Sequence, residues 1–199
     1  MTGKKIMAIF GSPNKDSLST KANVFVVNEL SKKYPNSQIS LLDLNDSIFT
    51  KTLMNANNMP NYFNEIESDL WINKLKEIDI LVISSPMINF NYSILIKNFI
   101  DSICVANKTF SYKYSKKGAS VGLLDNLNVI IIGTQGAPLG WYPFGNHIEQ
   151  LKGTFNFLGA QKIETLLIDG TKVEPRSKLT QDEIINEVSE QLKCLIKTF

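Results

Sequence analysis

The sequence predicts an α/β fold, a doubly wound three-layer sandwich with a five-stranded parallel sheet of order 2-1-3-4-5 and helices on both faces. Three observations predict it. Short β-rich runs alternate with segments of helical period along the chain, five of each. The runs are apolar almost without a break, residues 78–84 (IDILVIS) above all, as strands covered on both faces must be. Such βα repetition implies right-handed crossovers, which stack helices on the two sides of one sheet.

The elements follow in order. Residues 6–10 (IMAIF) are closed by Gly11-Ser12-Pro13 and suit a buried first strand better than a helix. Ala22, Val24, Phe25, Val26, Val27 and Leu30 then mark an amphipathic helix that Pro35 closes. A second strand is expected over 38–44, with Ile39, Leu41, Leu42 and Leu44. The Asn-rich stretch 45–64 has no clear period and reads as a long excursion. Ile66, Leu70, Ile72 and Leu75 place a helix over 65–76, ahead of the third strand at 78–84. Beyond a Pro86-Met87 turn come a helix over 92–104, a polar segment to 126, a fourth strand at 129–132 and a Gly-rich turn at 133–140. A helix near 146–158, a fifth strand at 163–168 and a closing helix over 181–198, capped by Thr180, complete the pattern. No repeat, low-complexity tract or linker divides it, so residues 1–199 are expected to form a single domain.

Composition narrows the function. Apolar residues make up 43% of the chain, enough for a sizeable core. The net charge of +2, from 21 cations and 19 anions without a clustered basic patch, argues against nucleic-acid and membrane-surface partners. No long apolar stretch and no cleavable leader is visible, so a cytoplasmic protein is expected. Cys104 and Cys194 lie far apart in apolar helical patterns and form no ligand cluster, so they read as buried hydrophobes in a reducing cytosol, and no metal site is expected. Arg176 is the sole arginine, so an anion must be held by backbone, hydroxyls or lysine.

In the order 2-1-3-4-5, ligands bind at the carboxyl ends of strands one and three, where loops 11–20, 86–91 and 133–140 must converge. The first loop carries Ser12, Ser17, Ser19 and Thr20 at a helix entrance, which suits a phosphate, although plain capping by Ser17 or Ser19 accounts for the same residues. It has neither the GxxxxGK[ST] nor the GxGxxG pattern. Met87, Asn89 and Phe90 after the third strand suit a flat ring with a polar edge, or an ordinary turn. The fourth-strand loop has small residues followed by Trp141 and Tyr142 as stacking walls. His147, the single histidine, has no GxSxG partner and is expected to have a surface or capping role. The carboxylates Asp182, Glu183, Glu187 and Glu190 belong to a solvated helix face. With a phosphate cup and a ring slot but no nucleophile or acid–base pair, the constellation favours chemistry carried by a bound cofactor.

The segment PMINFNYSILIKNFIDSI (86–103) resembles the most characteristic stretch of the FMN-dependent NADH-azoreductases, which are flavodoxin-like NAD(P)H:quinone oxidoreductases. The similarity continues through Thr109, Phe110, Tyr112, then Gly118, Gly122 and Leu123 of a hairpin-like segment, and TFNFLG at 154–159. The resemblance implies a flavodoxin-like sandwich with the FMN phosphate on Ser12, Ser17, Leu18 and Ser19. It implies ring contacts from Pro86, Met87, Ile88, Asn89 and Phe90, and from Thr134, Gln135, Gly136 and Ala137. Relatives commonly have Ser-Arg-Gly-Gly in the last of these loops. Gln135 therefore replaces a cation and Ala137 a glycine, which bears on the flavin's electrostatic setting and on the backbone angle at Ala137.

The implied activity is ping-pong: NADH, or NADPH, gives hydride to FMN, which passes it to a quinone or, in two rounds, to an azo compound cleaved to amines. No side chain is catalytic in this scheme. The resemblance also implies a homodimer whose active sites are completed by the partner chain. The apolar helix carrying Ile94, Leu95, Ile96, Phe99, Ile100 and Ile103 suits burial on more than one side, or an ordinary core. Phe110 and Tyr112 are expected to cover the substrate face and Trp141 to wall it. The competing reading is a flavodoxin-like electron carrier or flavin-binding regulator, for which the long excursions and aromatic loop would have no use. A hydrolase would lack both nucleophile and metal.

Overall fold

The alternating pattern closes into a parallel sheet whose three central strands are buried on both faces, while the edge strands are partly exposed. The computed structural model describes residues 3–113 and 120–199. In chain order the elements are β1 (Lys5–Phe10), α1 (Leu18–Lys33), β2 (Gln38–Asp43), α2 (Tyr62–Glu65), α3 (Ser68–Glu77), β3 (Ile80–Pro86) and α4 (Ile94–Ile103). They continue with β4 (Phe110–Ser111), β5 (Val121–Gly122), β6 (Asn128–Thr134), α5 (His147–Leu158), β7 (Lys162–Ile168), α6 (Gln181–Glu187) and α7 (Ser189–Leu195). The main sheet has five parallel strands in the order β2-β1-β3-β6-β7, which is 2-1-3-4-5 when only its own strands are counted. β4 and β5 pair antiparallel in the hairpin-like segment. Gly118, named with it above, lies outside the described residues.

Period-two alternation splits the sheet's side chains between two cores. Met7, Ile9, Leu81, Ile83, Val129 and Ile131 face α3, α4 and α5, packing against Trp71, Phe99, Ile103, Leu151 and Phe155. Ile6, Ala8, Val82, Ile130 and Ile132 face α1, α6 and α7 through Ala22, Val26, Leu30, Ile184 and Leu192.

Several elements depart from expectation. The helix expected over 65–76 begins at Ser68, because Glu67 takes a left-handed φ of 57° and breaks the run. The closing helix is two: Val188 (φ −97°, ψ 7°) leaves helical geometry, while Ile184, Val188, Leu192 and Leu195 all stay buried. Thr180 caps α6 in a reciprocal box with Glu183. Cys194 is exposed rather than buried, since Leu192 and Leu195 take the core side of its turn, and Cys104 is half-buried.

The Asn-rich excursion is anchored by two aromatic rings. Phe49 and Tyr62 are fully buried; the Tyr62 hydroxyl donates to Asn98 Oδ1 at 2.6 Å. The Asn98 amide in turn donates to the Phe49 and Thr52 carbonyls at 2.8 and 2.7 Å. α4 buries Leu95, Ile96, Phe99, Ile100 and Ile103 within the chain's own core, whereas Ile94 is exposed. No helix among the described residues is long and apolar enough to cross a membrane.

Candidate functional site

The crevice between β1 and β3 has a polar floor. Asn23 of α1 is fully buried, and its amide nitrogen faces the Ile9 carbonyl (3.1 Å), the Val82 carbonyl (3.2 Å) and the Ser84 hydroxyl (3.1 Å). It ties α1 to both strands just below the loops. The Gly11 N–H donates to the Ser84 carbonyl at 2.9 Å, and Ser93, the cap of α4, donates its hydroxyl to the Gly11 carbonyl at 2.5 Å. A Cβ at Gly11 would stand 2.3 Å from the Ile96 side chain, so only glycine permits this crossing.

Ser17 sits at the N-cap of α1 in extended conformation but makes no side-chain cap bond. Its hydroxyl instead lies 2.9 Å from that of Ser19, and both side chains are buried. Plain capping is therefore not how these serines are used; the first-turn N–H groups keep their capacity for an anion, and no acidic residue stands in that turn. Ser12 is buried, with its hydroxyl accepting from the Asn14 N–H (3.1 Å) and its carbonyl from the Asn45 amide (2.7 Å). Leu18 sends its side chain into the core, which leaves its backbone to the loop.

A cleft of about 360 Å³ opens beyond β3 and β6. Met87, Asn89 and Phe90 form one side, Gly136, Ala137, Trp141 and Tyr142 another, and Lys172 and Val173 the rim after β7. Asn89 and Phe90 have φ of 46° and 75°. Asparagine tolerates this region, but for a phenylalanine it costs on the order of 1–3 kcal/mol and persists only where the surroundings over-determine it. Here the Met87 N–H donates to the Thr134 carbonyl (2.7 Å), Ile88 and Asn91 exchange backbone bonds, and the Phe90 ring meets Tyr142 (5.1 Å) and Phe144 (4.9 Å) edge-on. Such strain recurs at ligand clamps and active sites.

Gln135 is buried, and its amide donates to the Ala137 carbonyl at 2.9 Å, so the side chain braces its own loop. Ala137 is not among the positive-φ residues, and alanine fits there without strain. The loop is strapped by the segment after β7: the N–H groups of Gly170, Thr171 and Lys172 donate to Ala137, Gln135 and Gly136 at 3.0, 3.2 and 2.9 Å. Arg176 fixes that strap by donating to the Asp169 carbonyl (2.6 Å) and carboxylate (3.1 Å) and to Glu187 (2.8 Å).

The loops therefore bring Met87, Asn89, Phe90, Gly136, Ala137 and Trp141 to one cleft; Pro86, Thr134 and Gln135 adjoin these residues at the ends of β3 and β6, and the serine loop leads from β1, the strand paired with β3, into α1. Ile88 faces a separate groove of about 310 Å³ with Pro13, Ser93, Ile94 and Lys97. Phe110 and Tyr112 are not brought to this cleft. Their hairpin packs on the far end of α5, where a Cβ at Gly122 would lie 2.2 Å from the Gly159 nitrogen and Phe110 meets Phe157 at 4.8 Å. Twelve helical residues at about 1.5 Å each separate that end from the cleft.

His147 differs from the expectation of a surface or capping role: it is 1% exposed and is not the cap of α5. Asn146 takes the cap, its Oδ1 accepting from the Glu149 N–H at 3.2 Å, which leaves His147 on the docking face of α5. The imidazole contacts the Ser85 backbone, its Nε2 has no partner among the described residues, and burial pushes its pKa down to about 4. Sequence reasoning missed Asn23, Lys172 and Val173, since an asparagine in a helical run and a DGTK turn carry no signal of what they will face.

A parallel 2-1-3-4-5 sheet with a hydroxyl-lined helix N-terminus and a ring-sized cleft at its switch point defines a flavodoxin-like protein. The family profile described as flavodoxin-like fold matches residues 4–192. The chain is 45% identical over 194 residues to the Metamycoplasma arthritidis protein named FMN-dependent NADH:quinone oxidoreductase, an alignment covering 94% of this chain and 99% of that one. It is 47% identical over 165 residues to a Malacoplasma penetrans protein of the same name, covering 83% and 78%. The chain thus belongs to the flavodoxin-like family of the FMN-dependent NADH:quinone oxidoreductases. The solved FMN-dependent NADH-azoreductase of Bacillus anthracis, in complex with FMN, shares the fold with a TM-score of 0.78 at 21% identity, over 96% of each chain.

Proposed function

We propose that the protein is an FMN-dependent oxidoreductase that takes electrons from NADH or NADPH to quinones and, reductively, to aromatic azo compounds. The observation that carries this reading is the strained Asn89–Phe90 loop, held over a cleft walled by Trp141 and Tyr142, with the serine loop leading into α1. The names of the relatives support it.

The residues fit FMN. Ser12, Ser17 and Ser19, with the backbone at Leu18, would hold its phosphate through hydroxyls and helix N–H groups; Arg176 is committed to Asp169 and Glu187 and takes no part. Pro86, Met87, Asn89 and Phe90, with Thr134 to Ala137, would hold the ring, the Asn89 amide matching its polar edge, while Ile88 faces the neighbouring groove. When bound, FMN supplies reversible uptake and release of a hydride. The chain's own work is positional: Phe90, Trp141 and Tyr142 give flat apolar walls that orient an aromatic donor or acceptor and exclude water. Phe110 and Tyr112 stand at the far end of α5, so their covering role belongs to a homodimer in which a second copy lays its hairpin over the cleft. The free thiols of Cys104 and Cys194 suit a cytoplasmic setting.

The test is an absorbance spectrum of protein incubated with FMN and desalted, followed by anaerobic NADH and then 1,4-benzoquinone. Retained flavin bands, bleached by NADH and restored by the quinone, are expected. Retention without bleaching would indicate an electron carrier or regulator, and loss of FMN on desalting would remove the cofactor assignment.

A further inference from the structure

We propose that Lys172 is a specificity-determining residue of the cleft, selecting acceptors whose aromatic body carries an anionic substituent such as a sulfonate or carboxylate. This deepens the function proposed above and rests on it. Among the described residues lining the cleft, Lys172 is the charged one; the others are apolar, aromatic or amide side chains. The nearby carboxylates are engaged elsewhere, Asp169 by Arg176 at 3.1 Å and the Leu139 N–H at 2.6 Å, and Glu174 by Lys178 at 2.9 Å, while Lys172 forms no ion pair among the described residues.

The position of Lys172 is built into the fold. Its N–H donates to the Gly136 carbonyl at 2.9 Å, and its Cβ and Cγ lie over Gly136, where an added Cβ would stand 3.4 and 2.8 Å from them. Gly136 therefore seats the stem of the lysine, and the Gly170–Lys172 strap fixes its root while the ammonium remains in solvent at the rim. Beside it, Trp141 is 60% exposed and Tyr142 38%, giving a ring somewhere to stack. An aromatic anion meets both features at once, whereas a neutral ring meets only the walls. The pyrophosphate of a nicotinamide donor has the same charge, so the two half-reactions must be read separately.

The experiment compares FMN-loaded wild type with Lys172→Ala, Lys172→Arg and Lys172→Glu, using 1,2-naphthoquinone-4-sulfonate and neutral 1,4-naphthoquinone as acceptors and NADH as donor. The ratio of kcat/KM for the sulfonate to that for the neutral quinone is expected to fall about three- to fivefold in Lys172→Ala, the size of an exposed ion pair. It should fall further in Lys172→Glu, be restored in Lys172→Arg, and lose its dependence on residue 172 in 1 M NaCl, where screening acts within about 3 Å. Tryptophan fluorescence titrated with redox-inert naphthalene-2-sulfonate and 2-naphthol should show the same change in relative affinity without turnover. An unchanged ratio, or a change confined to the KM for NADH, would overturn the proposal. Failure of wild type to retain FMN or reduce either quinone would instead overturn the oxidoreductase reading, with the fluorescence titration still reporting on Lys172.

Discussion

Mild acid should destabilise this protein chiefly through His147. His147 is the only histidine, is 1% exposed, and its nearest surroundings, Ser85, Gly133 and Ile148, offer no charge. Burial holds the folded imidazole at about 4, against 6.5 for the free group. Between these values the unfolded chain binds a proton that the folded one does not, so the stabilisation is complete above pH 6.5 and is lost as pH falls toward 4. At about 1.4 kcal/mol per tenfold change in proton affinity, the loss reaches about 2–3 kcal/mol by pH 4.5. For a chain of this length that is a fall in Tm of roughly 5–10 °C. Urea unfolding followed by far-UV circular dichroism at pH 7, 6, 5 and 4.5 measures it, with His147→Gln as the control. Glu183 and Glu190, whose carboxyls are lowered from 4.5 by the Thr180 backbone and Lys193 respectively, lose their contribution mainly below that window. The variant should start less stable at pH 7 and decline far less steeply. Parallel curves for the two proteins would refute the assignment.

Three other outcomes are expected. Asn23→Ala removes a buried amide that serves two strands and should cost about 2–3 kcal/mol by chemical denaturation, since carbonyls and a hydroxyl lose a donor; a change below 0.5 kcal/mol would contradict its clamping role. Gly122→Ala drives a methyl against the Gly159 backbone 2.2 Å away, so overpacking should destabilise by about 1–3 kcal/mol and raise hydrogen exchange in the β4–β5 hairpin first. Tyr112→Ala should change the KM for quinones while FMN stays bound, and mixing it with a cleft-defective Trp141→Ala subunit should produce mixed dimers carrying one intact site; unchanged kinetics with every acceptor would end the covering role.

The third and fourth strands, expected at 78–84 and 129–132 and found at 80–86 and 128–134, were legible because their central residues, 80–83 and 129–132, are apolar on both faces whatever surrounds them. The Gly11 turn was legible from local backbone chemistry, whereas Pro86, expected in a turn with Met87, continues β3 opposite Thr134 and the chain turns at Asn89 and Phe90 instead. The Asn-rich stretch was not legible, since Phe49 and Tyr62 are held by the Asn98 amide, a contact about forty residues distant in sequence that no local period encodes. His147 was misread for a similar reason: a helix-start histidine looks the same whether its turn faces solvent or the ends of two strands.

By itself, then, the sequence determined the α/β alternation from its local period and the placing of helices on both faces from crossover handedness; the order 2-1-3-4-5, and with it the three loops at the switch point, came from the doubly wound pattern that five such strands favour. Only the tertiary structure decided that the segment after β7 would strap the fourth-strand loop and bring Lys172 to the rim, and that Phe110 and Tyr112 would stand at the opposite end of α5. Those are matters of which surfaces meet, and they depend on packing between elements far apart in the chain, where local propensity has no voice.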